Sequence, residues 1–206
     1  MKRLFQINTI FVPDMPKNVK FDEVLAISKA MDVFWKKGYS GASMRDLTDA
    51  MGINSSSLYN TIGDKHQLFV KCIKNYTESR RDAAEKQFQN VASPINAIEQ
   101  FINGAVHSIT NEPNSCLAIK TTFEMAIDDL EVQKILRSDS TFTYNLILGF
   151  VEKAIGNNEI KITNDAKMLT DYIINNFTGW HESFIINQDK KRIKKMAQFL
   201  IEVLKQ

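Results

Sequence analysis

Residues 30–69 read AMDVFWKKGYSGASMRDLTDAMGINSSSLYNTIGDKHQLF, and the spacing of apolar, glycine and capping positions in this stretch decides the fold. Upstream, Val24, Ile27, Met31, Phe34 and Trp35 recur at three- and four-residue steps from Phe21 to Lys37, which predicts a helix with one inward stripe. Gly38 follows as its stop. Ser43, with Asp46 three residues on, is a capping-box-like start for a second helix running to about Met51, and the acid sits where the helix dipole favours it. Gly52 supplies a residue tolerant of positive φ, Ile53 a buried anchor, and Asn54 or Ser55 a cap for a short third helix through Leu58, Tyr59 and Asn60. Helix, glycine turn, helix is the arrangement that places a second helix in a DNA major groove.

The remainder of the chain favours helices as well. Only 8 Gly and 4 Pro punctuate 206 residues, too few for a sandwich or barrel with turns every ~8–12 residues. The expected class is all-α, and at 44% hydrophobic and 24% charged residues the chain can bury a core as one domain or two small ones. A long helix is expected from His66 to about Asn90, another from Ser93-Pro94, a loop over 111–115, a helix from Cys116 to Ile127, and one from Val132 to Ile155 before Gly156-Asn157-Asn158. Asn164 is a candidate cap for the next helix. Leu169, Tyr172, Ile173, Phe177, Trp180 and Phe184 form one wide apolar stripe, and Ile193, Met196, Ala197, Leu200, Val203 and Leu204 form another. This pair can complete one core or build a four-helix bundle with its twin in a homodimer.

Composition narrows the function classes. Cys72 and Cys116 are far apart with no CxxC neighbour, so neither a disulfide framework nor a zinc site is expected, and a reducing cytoplasm is the expected location. No apolar run approaches the roughly 20 residues that span a bilayer. The start, with Lys2 and Arg3 before LFQINTIFV, superficially resembles a signal peptide, but Gln6, Asn8 and Thr9 interrupt it; residues 1–20 are expected to form a loose arm, with Met15 as an alternative start. Residues 1–90 hold 14 Lys/Arg against 10 Asp/Glu and residues 91–206 hold 12 against 14, so the net +2 conceals a basic first half, weakly favouring a polyanion partner there. No glycine-rich phosphate loop, HExxH or GxSxG stands in the chain, and no cofactor, metal site or catalytic residue is expected. Lys190 to Lys195 reads as a solvated helix face in preference to a second nucleic-acid patch.

Ala30, Phe34, Lys37-Gly38-Tyr39, Ser43, Asp46-Leu47, Gly52-Ile53, Ser57-Leu58-Tyr59, Gly63, Lys65 and Leu68-Phe69 together resemble the TetR/AcrR family of transcriptional regulators, over about forty residues. Ala42 stands where the family often has threonine, Thr48 where it often has alanine, and Ile62 where an aromatic is usual. The resemblance implies a three-helix DNA-binding domain over residues 21–66 and a helical ligand-binding and dimerisation domain over 67–206, the partners being double-stranded DNA, a small-molecule effector and a second copy joined through the last two helices. It implies that the turn around Asn54, Ser55, Ser56, Ser57, Tyr59 and Asn60 enters the major groove, that Tyr59 and Lys65 contact phosphates, and that Tyr39 and Ser43 help hold the duplex.

Two readings stand for Tyr59, a phosphate contact or a core aromatic, and two for Lys65, a phosphate contact or a solvated side chain. Because NSSSLYN lacks arginine and lysine, Arg45 on the preceding helix is the nearby side chain able to read guanine with two hydrogen bonds. Inside the second half the resemblance implies a cavity among the helices carrying Tyr76, Phe101, Phe123, Tyr144, Phe177 and Trp180, and 13 Phe with 8 Met suit an apolar or aromatic molecule. The expected function is a repressor released from a palindromic operator by such a molecule. The alternatives are a helical adaptor or an activator using the same motif without ligand control.

Overall fold

The computed structural model describes residues 22–111, 116–161 and 165–205. Among them are nine helices and no strand: α1 Glu23–Gly41, α2 Met44–Met51, α3 Ser55–Thr61, α4 Lys65–Phe88, α5 Pro94–Asn111, α6 Leu117–Met125, α7 Leu130–Gly156, α8 Ala166–Asn187 and α9 Lys190–Lys205. The expected arm over 1–20, the alternative start at Met15 and the Asn164 cap lie outside the described residues, as does most of the 111–115 loop.

Side-chain caps set most helix starts. Asp22 accepts from the Leu25 N–H, Asp129 from those of Glu131 and Val132, and Asp165 from that of Lys167, each satisfying backbone donors that the helix itself leaves orphaned. The start of α5 is served from a distance: the Glu159 carboxylate accepts from the Ile95 N–H and the Ser93 hydroxyl, both at 2.9 Å. These bonds, the backbone N–H first, hold the Glu159 carboxyl below its ordinary pKa.

Two hydrophobic clusters form. The first joins α1 to α4, through Phe34, Leu47, Leu58, Leu68 and Ile73, and it also takes in Leu117 of α6 and Val132 and Leu136 of α7. The second gathers α5, the latter part of α7, α8 and α9 around Ile98, Ile102, Ile147, Ile173, Trp180 and Leu200. The core of the N-terminal unit therefore reaches beyond residue 66 into α6 and α7. Helix α4 belongs to both ends, since Phe69 packs against Phe34 while Phe88 meets Phe101 and Phe150.

A polar seam runs between the clusters. Arg80 Nη1 donates to Asp139 Oδ2 at 3.1 Å, and the Tyr76 hydroxyl donates to Cys116 Sγ at 3.4 Å. His181 accepts at Nε2 from the Cys116 N–H, which assigns the ring proton to Nδ1, 3.0 Å from the Phe177 carbonyl. Burial raises the pKa of Asp139, opposed by the guanidinium groups of Arg80 and Arg81. Both cysteines are free thiols, and burial pushes that of Cys72 up to about 12.

Candidate nucleic-acid interface

The turn at Gly52 aims the short helix. Gly52 adopts φ 71° and ψ 32°, a left-handed conformation disfavoured for residues with a Cβ, and its N–H donates to the Thr48 carbonyl at 2.9 Å. Ile53 N–H reaches the same carbonyl at 3.1 Å, closing the end of α2. Asn54 then caps α3, its Oδ1 accepting from Ser57 N–H at 2.8 Å. Because Leu58 is wholly buried, the opposite side of this seven-residue helix faces out: Ser55, Ser56 and Asn60 are exposed, and Tyr59 is 55% exposed. Of the two readings for Tyr59, the core aromatic is not what the packing shows.

Helix α2 lies behind as a rigid support. Ser43 and Asp46 form the complete capping box, with Ser43 Oγ accepting from Asp46 N–H at 3.1 Å and Asp46 Oδ2 accepting from Ser43 N–H at 3.0 Å. Lys37 Nζ lies 2.6 Å from Asp46 Oδ1, and this ammonium first, then Ser43, holds the Asp46 carboxyl well below the usual carboxylate range. Arg45 projects into solvent with only a loose contact, 3.6 Å, to Asp49 one turn on. Thr48 is buried where alanine would be simplest, and its hydroxyl donates back to the carbonyls of Met44 and Arg45 at 3.0 and 3.1 Å, so no polar atom is left stranded. Ala42 and Ile62 are buried apolar positions of the first cluster.

The second element of the interface is Tyr39 with Lys65. Gly38 breaks the helical dihedrals of α1 with φ 76° and ψ 172°, turning the chain so that the Tyr39 ring stacks near Phe34 and meets Phe69 edge-on, 5.1 Å between centroids. Lys65 Nζ lies 4.6 Å from the centre of that ring, a cation–π contact that holds the ammonium at the mouth of α4. Asp64 and Gln67 cap α4 reciprocally, so the N–H of Gln67 is already occupied by the Asp64 carboxylate at 2.8 Å. The Tyr39 hydroxyl has a raised pKa, from burial and then from the charges of Asp64 and Asp129.

Taken as a surface, α3, Arg45, Tyr39 and Lys65 offer hydroxyls, an amide and two cations, with no charged side chain on α3 itself. A residue profile described as bacterial regulatory proteins, tetR family, matches residues 26–72, the segment that builds this surface. The chain is 30% identical over 128 residues to the uncharacterised helix-turn-helix transcriptional regulator YezE of Bacillus subtilis, a match covering 61% of this chain and 66% of that relative. The chain belongs to the TetR family. The helix-turn-helix transcriptional repressor ComR of Escherichia coli is 24% identical over 156 residues, 74% of each chain. The TetR-family regulator CifR, solved with a 26 bp operator duplex, superposes with a TM-score of 0.76 at 22% identity, covering 88% of this chain and 96% of that one, which shows a shared fold. The chain is a DNA-binding transcriptional regulator of the TetR type.

The aromatic residues expected around a ligand are dispersed. Phe101, Phe177 and Trp180 stack on one another inside the second cluster. Tyr76 lies in the polar seam, edge-on to Trp35 of α1, and Tyr144 is half-buried on α7, where burial and then the charges of Asp171 and Asp165 raise its pKa. Phe123 borders an open groove of about 730 Å³ between α6 and α8, with Ile119, Lys120, His181, Ile185 and Ile186. Sequence reading missed Lys120 and Glu124 of α6, which hydrogen-bond to the backbone of α1. Four residues apart on a helix, they read as an ordinary surface pair, and nothing in the spacing signals a partner 84 or 85 residues upstream.

Proposed function

We propose that this TetR-family protein is a cytoplasmic repressor that binds a palindromic operator as a homodimer and is released by a small apolar or aromatic molecule. The observation that carries the DNA part is the outward presentation of Ser55, Ser56, Tyr59 and Asn60 on a helix whose opposite side is anchored by buried Leu58. One such turn without lysine or arginine buries too little surface for tight binding, so two half-sites about 34 Å apart supply the remainder. Met168 and Tyr172 of α8 and Phe199 of α9 are each more than half exposed, an apolar supply suited to a bundle with a second copy. The groove between α6 and α8 is the favoured effector entry, because Phe123, Ile185 and Ile186 give it an apolar wall.

The ligand works by binding the released conformation more tightly than the DNA-bound one. Sedimentation of the protein with a duplex it selects from a random-sequence pool tests the assembly: two protomers per palindromic site are expected, and a single protomer per site would refute the dimer. Addition of an effector found co-purified with the protein should dissociate that complex. A co-purified molecule that tightens DNA binding would refute release.

A further inference from the structure

Helix α6 grips the bend of α1 with two opposite charges. Lys120 Nζ donates to the carbonyl of Trp35 at 2.9 Å, with that of Lys36 at 3.5 Å, at the C-terminal end of the straight part of α1. One turn further along α6, the Glu124 carboxylate accepts from the N–H groups of Tyr39 and Ser40 at 3.0 and 2.9 Å, beyond the break at Gly38. Each charge meets the backbone end of opposite polarity, a cation on carbonyls and an anion on N–H groups. A Cβ on Gly38 would lie 2.8 and 2.9 Å from the Glu124 oxygens, so the carboxylate occupies the space that glycine leaves.

We propose that Glu124, assisted by Lys120, is a positioning residue for DNA binding: it fixes the backbone of Tyr39, and through the Tyr39 ring it fixes the ammonium of Lys65 for a phosphate. The chain of contacts is continuous, from the Glu124 carboxylate to the Tyr39 N–H and from the Tyr39 ring to Lys65 Nζ at 4.6 Å. Phe34 and Phe69 hold the ring from within, and Glu124 holds the backbone that carries it. The inference rests on the DNA-binding role of Tyr39 and Lys65.

Sign separates this role from a simpler one. Glu124→Gln removes a negative charge near a polyanion, so a bystander carboxylate predicts tighter DNA binding. Positioning predicts weaker binding, because a glutamine oxygen serves one N–H while its NH₂ opposes the other. Glu124→Asp keeps the charge but shortens the reach by one methylene, so positioning predicts a loss there too and a bystander predicts none.

The test measures affinity for the duplex selected by the wild-type protein, across salt concentrations, for wild type, Glu124→Gln, Glu124→Asp, Lys65→Ala and Lys65→Ala with Glu124→Gln, with thermal melts alongside. Both Glu124 variants should bind roughly tenfold more weakly, with a salt slope lower by about 1 per half-site. In the Lys65→Ala background the Glu124→Gln change should leave the slope unchanged. Unaltered or tighter binding by folded Glu124 variants overturns the inference, and so does an equal slope change in the Lys65→Ala background. A wild-type protein that selects no duplex overturns the DNA-binding reading itself, a result distinguishable from the others.

Discussion

The two halves of this molecule use glycine in opposite ways. In the DNA-reading half Gly38, Gly52 and Gly63 hold positive φ, while in the second half Gly104, Gly149 and Gly179 lie within α5, α7 and α8 with open space where a Cβ would stand. In the first half each bend must be made in one way for α3 to face outward and Tyr39 to face Lys65. The second half is built from long helices whose apolar stripes tolerate exchange, so its sequence encodes packing more than direction. Specific orientation is concentrated in about forty residues, and bulk stability is shared by the whole chain.

The sharpest way to break this division is to damage both cores equally. Phe34→Ala and Trp180→Ala each empty a fully buried aromatic site and should lower unfolding free energy by about 3–5 kcal/mol, read by denaturant titration. Among molecules that remain folded, only Phe34→Ala should weaken DNA binding, because Phe34 supports the Tyr39 ring. Equal effects on DNA affinity would mean that the halves are not divided as described. A smaller effect comes from Arg45→Ala, expected to leave stability unaltered and to cost about 1–3 kcal/mol of discrimination at one base pair. An unchanged sequence preference in a selection experiment would remove Arg45 from the reading surface.

The glycines themselves supply the smallest test. Gly52→Ala should destabilise by about 1–2 kcal/mol, the cost of placing a Cβ in the left-handed region. Gly104→Ala, inside α5 with nothing near the new methyl, should stabilise by about 0.5–1 kcal/mol. Melting temperatures of the two variants should therefore shift in opposite directions. A shift of the same sign in both would remove the contrast.

Legibility in the sequence follows the same division. The start of α2 at Ser43, the turn at Gly52, the cap at Asn54 and the stop at Gly38 were readable because local hydrogen bonds and dihedral limits select those residue types within three or four positions. The start of α5 at Pro94 was readable from proline's preference for the first helical turn, and the inward stripe of α8 at Leu169, Ile173 and Trp180 from periodicity, yet Tyr172 in the same stripe is about half exposed. Periodicity states that a helix has an apolar side and does not state what covers it. The sharing of the first core by α6 and α7 depends on packing between distant parts of the chain, and the grip of Lys120 and Glu124 on α1 on contacts made 84 or 85 positions apart, for which a single sequence carries no local signal. The aromatic residues proposed for the ligand illustrate the same point: their composition suits an apolar guest, whereas three of them are occupied with stacking on each other.

The central claim is that the Gly52 turn presents α3, with Tyr39 and Lys65 beside it, to a phosphate backbone. Its most direct test is the salt dependence of wild-type affinity for a selected duplex, compared with Lys65→Ala. The account predicts a steep linear fall of log affinity with log salt, made shallower by about 1 per half-site in the variant. Binding that is independent of salt, or a slope that Lys65→Ala leaves untouched, would contradict it.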